Sequence, residues 1–270
     1  MKKSLFSLIT FGLAFGLAFG YPLAINAEPA AADKTKLLLI SNSTKAGEAF
    51  LDYPMGQIKA FLGDKPVTVL FIPYARVGTS YDEFEAAVKA KFKEIGHDAI
   101  GIHRFADPVK AVEEAQAIAV GGGNTWMLLH ELRRNRLLDP VRARVRSGTP
   151  YIGWSAGSNV AAPTIKTTND MPIIDPQGLH AFELVPFQIN PHYLDAKPDG
   201  FAGESREDRL KEFLVVNPDV YVVGLREQCM LRIENGSMRL IGPSTLRVFR
   251  KDRETRELGT SDDVDFLLRK

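Results

Sequence analysis

The sequence predicts an α/β protein of three layers, a mostly parallel sheet with helices on both faces. Short apolar runs rich in Val, Ile and Leu recur from Lys36 onward, as "KLLLIS", "VTVLFIP", "DAIGIH", "AIAVGG" and "PYIGWS". Gly, Pro or Asp bounds them, the composition of strands buried on both faces. Helical segments lie between them, among them Tyr81 to Ile95, Thr125 to Arg136 and Asp139 to Ser147. Strand, helix, strand at this spacing requires right-handed crossovers and collects functional groups at the C-terminal ends of the strands.

The second half reads differently. Pro163 to Pro198 has many prolines and few helical signals, and reads as long ordered loops around the apolar run "LVPFQI". Loops of that length in a compact domain are usually functional. A helix from Arg206 to Val216 follows, then a strand in "VYVVGL". "QCMLRIENGSMRLIG" is a hairpin, with Asn235-Gly236 as its tight turn. "TLRVFRK" and a polar tail end the chain, and residues 34–270 read as one domain.

Composition narrows the function. The chain has 270 residues, 45% hydrophobic and 25% charged, with a formal net charge of +1. That balance fits a globular protein with one sizeable core and gives no basic surface for nucleic acid. A basic start, Met1-Lys2-Lys3, an uncharged apolar run and the small-residue stretch "INAEPAAADKTK" follow the plan of a secretory signal peptide. Residues 1–27 form the leader, with cleavage after Ala27 or as late as Ala32. An uncleaved anchor is the alternative, because the run approaches the ~20 residues that span a bilayer. Its glycines, its early proline and the Ala-rich exit favour removal, hence a periplasmic or secreted protein without stable membrane association. The single cysteine, Cys229, cannot form an internal disulfide and lies in an apolar stretch, as a structural thiol does.

The chemistry is sought at the strand ends. Gly153-Trp154-Ser155-Ala156-Gly157 is a GxSxG pentapeptide after an apolar run, the pattern of a turn that lifts a serine hydroxyl clear of a sheet. One βα unit earlier, "VGGGNTW" has neither the Lys-Ser/Thr pair of a P-loop nor GxGxxG spacing. It is better placed to complete an oxyanion hole, with the Gly123 and Ala156 amides as donors. Five histidines are available as base. His97 and His103 flank the third strand and His130 lies in a helix, all with packing or surface roles; His180 in the long loop stays a second candidate. His192, in "FQINPHYLDA", follows a strand and a proline that stiffens the backbone, and is the first choice. There is no HExxH and no Cys/His ligand cluster, so neither a metal nor another cofactor is expected.

Four blocks together, "YIGWSAGSNVA", "TTNDMPIIDPQGLHAFEL", "PFQINPHYLDA" and "GESREDRL", resemble the peptidase E family of serine peptidases, α-aspartyl dipeptidases, which also includes cyanophycinase. The resemblance runs from "LLLISNST" to "VFRK" and departs only at the leader, since familiar members are cytoplasmic. It implies a fold like that of class I glutamine amidotransferases, with Ser155 as nucleophile and His192 as base. Asp170 in "TTNDMPI" and Glu227 in "GLREQCM" both match acidic site residues. Either can accept the imidazole N–H, so the third member is left open between them. The expected substrate is a small peptide with an N-terminal aspartate. Arg206 is the first choice for its side-chain carboxylate, with Asn124 and Asn159 as further donors. The rival readings are a cyanophycinase-like hydrolase of β-linked Asp-Arg, an α/β-hydrolase esterase and a non-catalytic binding protein. Oligomeric state is not readable from the sequence.

Overall fold

A computed structural model describes residues 34–195, 200 and 202–269. The leader lies outside the described residues. The first half builds the parallel core in the expected order: β1 (Leu37–Ile40), α1 (Met55–Leu62), β2 (Thr68–Ile72), α2 (Tyr81–Glu94), β3 (Asp98–Gly101), α3 (Pro108–Glu114), β4 (Ala117–Val120), α4 (Thr125–Arg134), α5 (Leu138–Arg146), β5 (Tyr151–Trp154) and the short α6 (Ala156–Asn159). Local signals start these helices. Ser80 and Glu83 form a capping box on α2, and Asp107 caps α3 ahead of a proline in the first turn.

The second half supplies β6 (Gln188–Tyr193), α7 (Arg206–Val216), β7 (Val222–Arg226), β8 (Met230–Glu234), β9 (Ser237–Ile241), β10 (Leu246–Phe249) and β11 (Arg256–Leu258). A seven-stranded sheet has the order β3-β2-β4-β5-β1-β8-β9, and a four-stranded sheet the order β11-β10-β7-β6. Pairing is parallel from β3 to β1, while β8 and β9 add an antiparallel hairpin to the β1 side. Asn235 (φ 54°) and Gly236 (φ 74°) make its turn, both left-handed as a two-residue hairpin loop requires.

Alternation along the strands produces the three layers. Leu38, Ile40, Val69, Phe71, Ile152 and Trp154 face α1 and α2. Leu37, Leu39, Leu70, Ile72 and Tyr151 face the opposite way, into a core shared with α3, α4 and α5. That second core continues under the small sheet through Ile189, Val223, Leu225 and Val248, and the sheet's other face packs Tyr193, Val222 and Phe249 on Leu210 and Leu214 of α7.

The long segment after α6 is ordered, as the sequence suggested, and arginines explain how. Arg142 donates to the Phe182 and Ala181 carbonyls (2.8 and 3.0 Å), Arg146 to Glu183 O (2.9 Å) and Arg133 to His180 O (3.1 Å). Residues outside regular structure thus keep their backbone acceptors satisfied. Two expectations change. The "polar tail" contains β11 and a 3-10 turn at Asp265–Leu268, with Val264 and Leu267 buried, because one face of a mostly polar stretch closes the core. The strand read in "LVPFQI" begins only at Gln188 and runs through Pro191 and His192, a placement a proline tolerates on an edge strand such as β6.

Candidate active site

The site lies where β1, β4 and β5 end and β6 and β7 approach them. Ser155, between β5 and α6, has φ 54° and ψ −113°, a conformation rarely adopted by residues other than glycine. Its N–H donates to Ile40 O (3.0 Å). The flanking glycines are required by close approach: a Cβ on Gly157 would lie 2.1 Å from Val120 O, and one on Gly153 2.4 Å from Gly157 O. Only a bare backbone lets α6 start this close to the sheet, and the serine is the apex of that turn.

His192 comes from the edge strand of the other sheet. The register of β6 on β7 shifts between Pro191 and Tyr193, and His192, at the bulge, has φ 52°. The bulge aims the imidazole at the elbow. Nε2 is 3.0 Å from Ser155 Oγ, and Nδ1 is 2.8 Å from Glu227 Oε1. With the neutral ring protonated at Nδ1, His192 donates to Glu227 and accepts from the serine hydroxyl. Glu227 directly follows β7, so the three groups come from three separate segments.

Asp170 occupies a different place. Its Oδ2 accepts from Thr125 N–H (2.8 Å), Thr125 Oγ1 (2.6 Å) and Thr168 Oγ1 (3.1 Å), and Trp126 Nε1 donates to its carbonyl (3.1 Å). It therefore sits at the N-terminus of α4, where a negative charge is favoured. Of the two expected amide donors, Ala156 directly follows Ser155 and Gly123 lies in the glycine turn. Ala156 N–H is the first of its helix and has no acceptor within it. Gly123 has φ 142°, and a Cβ on it would lie 2.3 Å from Ala75 O; a Cβ on Gly122 would lie 3.0 Å from Ser155 Cβ. The turn thus abuts the nucleophile, with Gly122 the nearer neighbour, a residue the sequence reading did not single out.

Arg206 is the first residue of α7, half-buried, and it donates from Nη1 to His192 O. Burial pulls its pKa below the usual arginine range, and nearby Arg209 adds to the effect. No carboxylate among the described residues forms an ion pair with it. The two asparagines expected as further donors both make bonds within the fold. Asn159 is fully buried and donates from Nδ2 to Ile189 O (2.7 Å), so its amide ties α6 to the open edge of β6. Asn124 caps α4, accepting from Met127 N–H (3.1 Å) and donating to Met171 O (2.9 Å). The Asn124 amide is thus engaged within the fold, as an N-cap demands, whereas Asn159 is held through Nδ2 alone and its Oδ1 has no partner among the described residues.

The remaining histidines have other partners. His97 Nδ1 accepts from Val67 N–H, His130 contacts Asp175 O, and His180 lies 3.6 Å from Glu183. His103 meets Asp82 and Glu85, a group of three potential metal ligands in which Arg104 also pairs with both carboxylates. Cys229 is buried, which pushes its thiol pKa up, as expected of a structural cysteine.

A strained serine, a histidine and a carboxylate in sequence contact, on a class I glutamine amidotransferase-like three-layer scaffold, define a serine hydrolase. The model of "Peptidase family S51" matches residues 37–241. "Peptidase E" of Nostoc sp. is 50% identical over 233 residues, 86% of this chain and 96% of that protein. "Peptidase E" of Salmonella typhimurium is 48% identical over 219 residues, 81% and 95% of the two chains. Among solved structures, a peptidase from an acI-B1 Actinobacterium superposes with a TM-score of 0.61 at 16% identity, covering 85% of this chain and 96% of its own, and shares the fold. The chain belongs to peptidase family S51 and is a serine peptidase.

Proposed function

We propose that the protein is a dipeptidase that removes an N-terminal aspartate from Asp-X through an acyl-enzyme, with Ser155 as nucleophile, His192 as base and Glu227 as acid. The observation that carries this reading is the continuous Ser155–His192–Glu227 contact, 3.0 Å and 2.8 Å long. His192 takes the hydroxyl proton as Ser155 attacks the aspartyl carbonyl, and Glu227 stabilises the imidazolium that forms. The Gly123 and Ala156 amides face the oxyanion, His192 returns the proton to the leaving amine, and water then releases aspartate.

Charge sets the specificity. Arg206, half-buried beside His192 and without a carboxylate partner among the described residues, takes the side-chain carboxylate of the substrate. Asp170, whose Oδ2 receives the Thr125 and Thr168 bonds, keeps Oδ1 for the free ammonium. The names of the Nostoc and Salmonella relatives support a peptidase E activity. The leader reading adds that the enzyme works outside the cytoplasm.

The test is kcat/KM on Asp-Leu, Asn-Leu and N-acetyl-Asp-Leu. Asp-Leu should be the best substrate and Asn-Leu at least about tenfold poorer, because the neutral amide leaves Arg206 unpaired; partial solvation keeps the loss below that of a fully buried charge. The acetylated peptide should fail as well. Equal rates on all three would contradict aspartyl specificity, and preferential hydrolysis of β-linked Asp-Arg would favour a cyanophycinase-like activity.

A further inference from the structure

Three consecutive residues at the end of β1 hold the backbone of all three reacting segments. Ile40 O accepts from Ser155 N–H (3.0 Å). Ser41 Oγ accepts from His192 N–H (2.9 Å), and Asn42 Oδ1 accepts from Gln228 N–H (2.7 Å), the residue after Glu227. Each donor is a non-glycine residue at positive φ: Ser155 at 54°, His192 at 52° and Gln228 at 63°. Such conformations persist only where surrounding contacts hold them.

The two side chains are themselves fixed. Ser41 donates its own proton to Leu225 O on β7 (2.8 Å), which leaves a lone pair for His192. Asn42 donates from Nδ2 to Thr44 O (2.8 Å), and the Tyr53 hydroxyl is shared between its carbonyl oxygen and its Oδ1 (2.8 Å). Ser41 is fully buried and Asn42 is 2% exposed. Each side-chain polar atom of the pair has at least one partner, which favours a single rotamer for each.

We infer that Ser41 and Asn42 are positioning residues, a template on β1 that fixes His192 and Glu227 relative to Ser155. Ser41 sets the bulge from which the imidazole projects, and Asn42 sets the turn from which the carboxylate projects. Because β1 is hydrogen-bonded on both sides, to β5 and β8, the template is anchored to a central strand of the large sheet. Neither residue touches the substrate in this assignment.

The inference rests on the serine-nucleophile reading, so its test uses a probe that is blind to aspartyl specificity. The second-order rate of Ser155 phosphonylation by a small serine-directed phosphonate is measured by intact mass, together with kcat and KM on Asp-Leu. Ser41→Ala and Asn42→Leu should label about 10- to 100-fold more slowly and lose kcat in parallel, with KM little changed. Asn42→Asp keeps an accepting oxygen for Gln228 N–H but loses the bond to Thr44 O, and should label faster than Asn42→Leu while remaining slower than the wild type. Folded variants labelled at the wild-type rate, losses confined to KM, or Asn42→Asp as slow as Asn42→Leu would overturn the template. If Ser41→Ala does not fold, the Asn42 pair decides. Failure of the wild-type protein to label at Ser155 would instead overturn the nucleophile assignment itself, whereas labelling without Asp-Leu hydrolysis would remove only the specificity.

Discussion

A carboxylate that completes a serine–histidine pair must meet the imidazole nitrogen remote from the serine, and Glu227 does so at 2.8 Å while Asp170 is bonded to Thr125 and Thr168. Glu227→Gln should therefore lower kcat by about 10³- to 10⁴-fold, because an amide no longer stabilises the imidazolium. Asp170→Asn should mainly raise KM on Asp-Leu, as expected of a group that meets the substrate's ammonium; steady-state kinetics on both variants separates the roles, and the reverse pattern would exchange them. Arg206→Ala should narrow the preference for Asp-Leu over Asn-Leu. Ser155 and His192 were legible in the sequence because each carries a local signal, the glycines that permit a tight elbow and the proline before the bulge. The choice between Glu227 and Asp170 was not legible, since it depends on which strand end lies beside His192, a contact between residues 35 apart. The bonds of Asn159 and Asn124 were not legible either: proximity along the chain suggested a role at the substrate, and the backbone groups that take up their amides lie 30 and 47 residues away.

At the level of elements, the elbow depends on α6 lying almost against β4. Gly157→Ala would place a methyl 2.1 Å from Val120 O, so the backbone must shift. A loss of about 1–3 kcal/mol in urea unfolding is expected, with activity falling as the serine is displaced. The small sheet is held by a charge network: Arg226 pairs with Asp195 (2.7 Å) and Glu257 (2.9 Å), and Arg247 with Glu257 (2.7 Å) and Glu207 (2.6 Å). Arg226 holds the Glu257 carboxyl down to about 2, from an ordinary 4.5. A depressed carboxylate contributes its full stability above pH 4.5 and loses it as pH falls toward 2. Thermal midpoints across that window should therefore drop less for Glu257→Gln than for the wild type, and a curve of unchanged slope would show that the network does not matter to stability. The parallel core strands were readable because both of their faces are buried and their apolar runs are continuous. The antiparallel β11 was not, since three residues with a single buried side chain, Leu258, carry no periodicity.

For the whole molecule, the leader remains an expectation that a mass measurement can check. Residues 1–27 as a signal peptide predict a mature chain beginning at Glu28, or at Asp33 if cleavage follows Ala32, and recovered outside the cytoplasm. Intact mass of the soluble cytoplasmic protein still carrying Met1 would contradict this. Neither the leader nor the choice of substrate alters the scaffold, in which a buried parallel sheet supplies the serine and a second sheet supplies the base and the acid. That division of labour depends on one hydroxyl. The most direct measurement is kcat of Ser155→Ala on Asp-Leu, with a thermal melt to verify the fold. A loss of about 10⁴- to 10⁶-fold at an unchanged melting temperature is expected; a folded variant that keeps a tenth or more of wild-type turnover would contradict a serine nucleophile at this position.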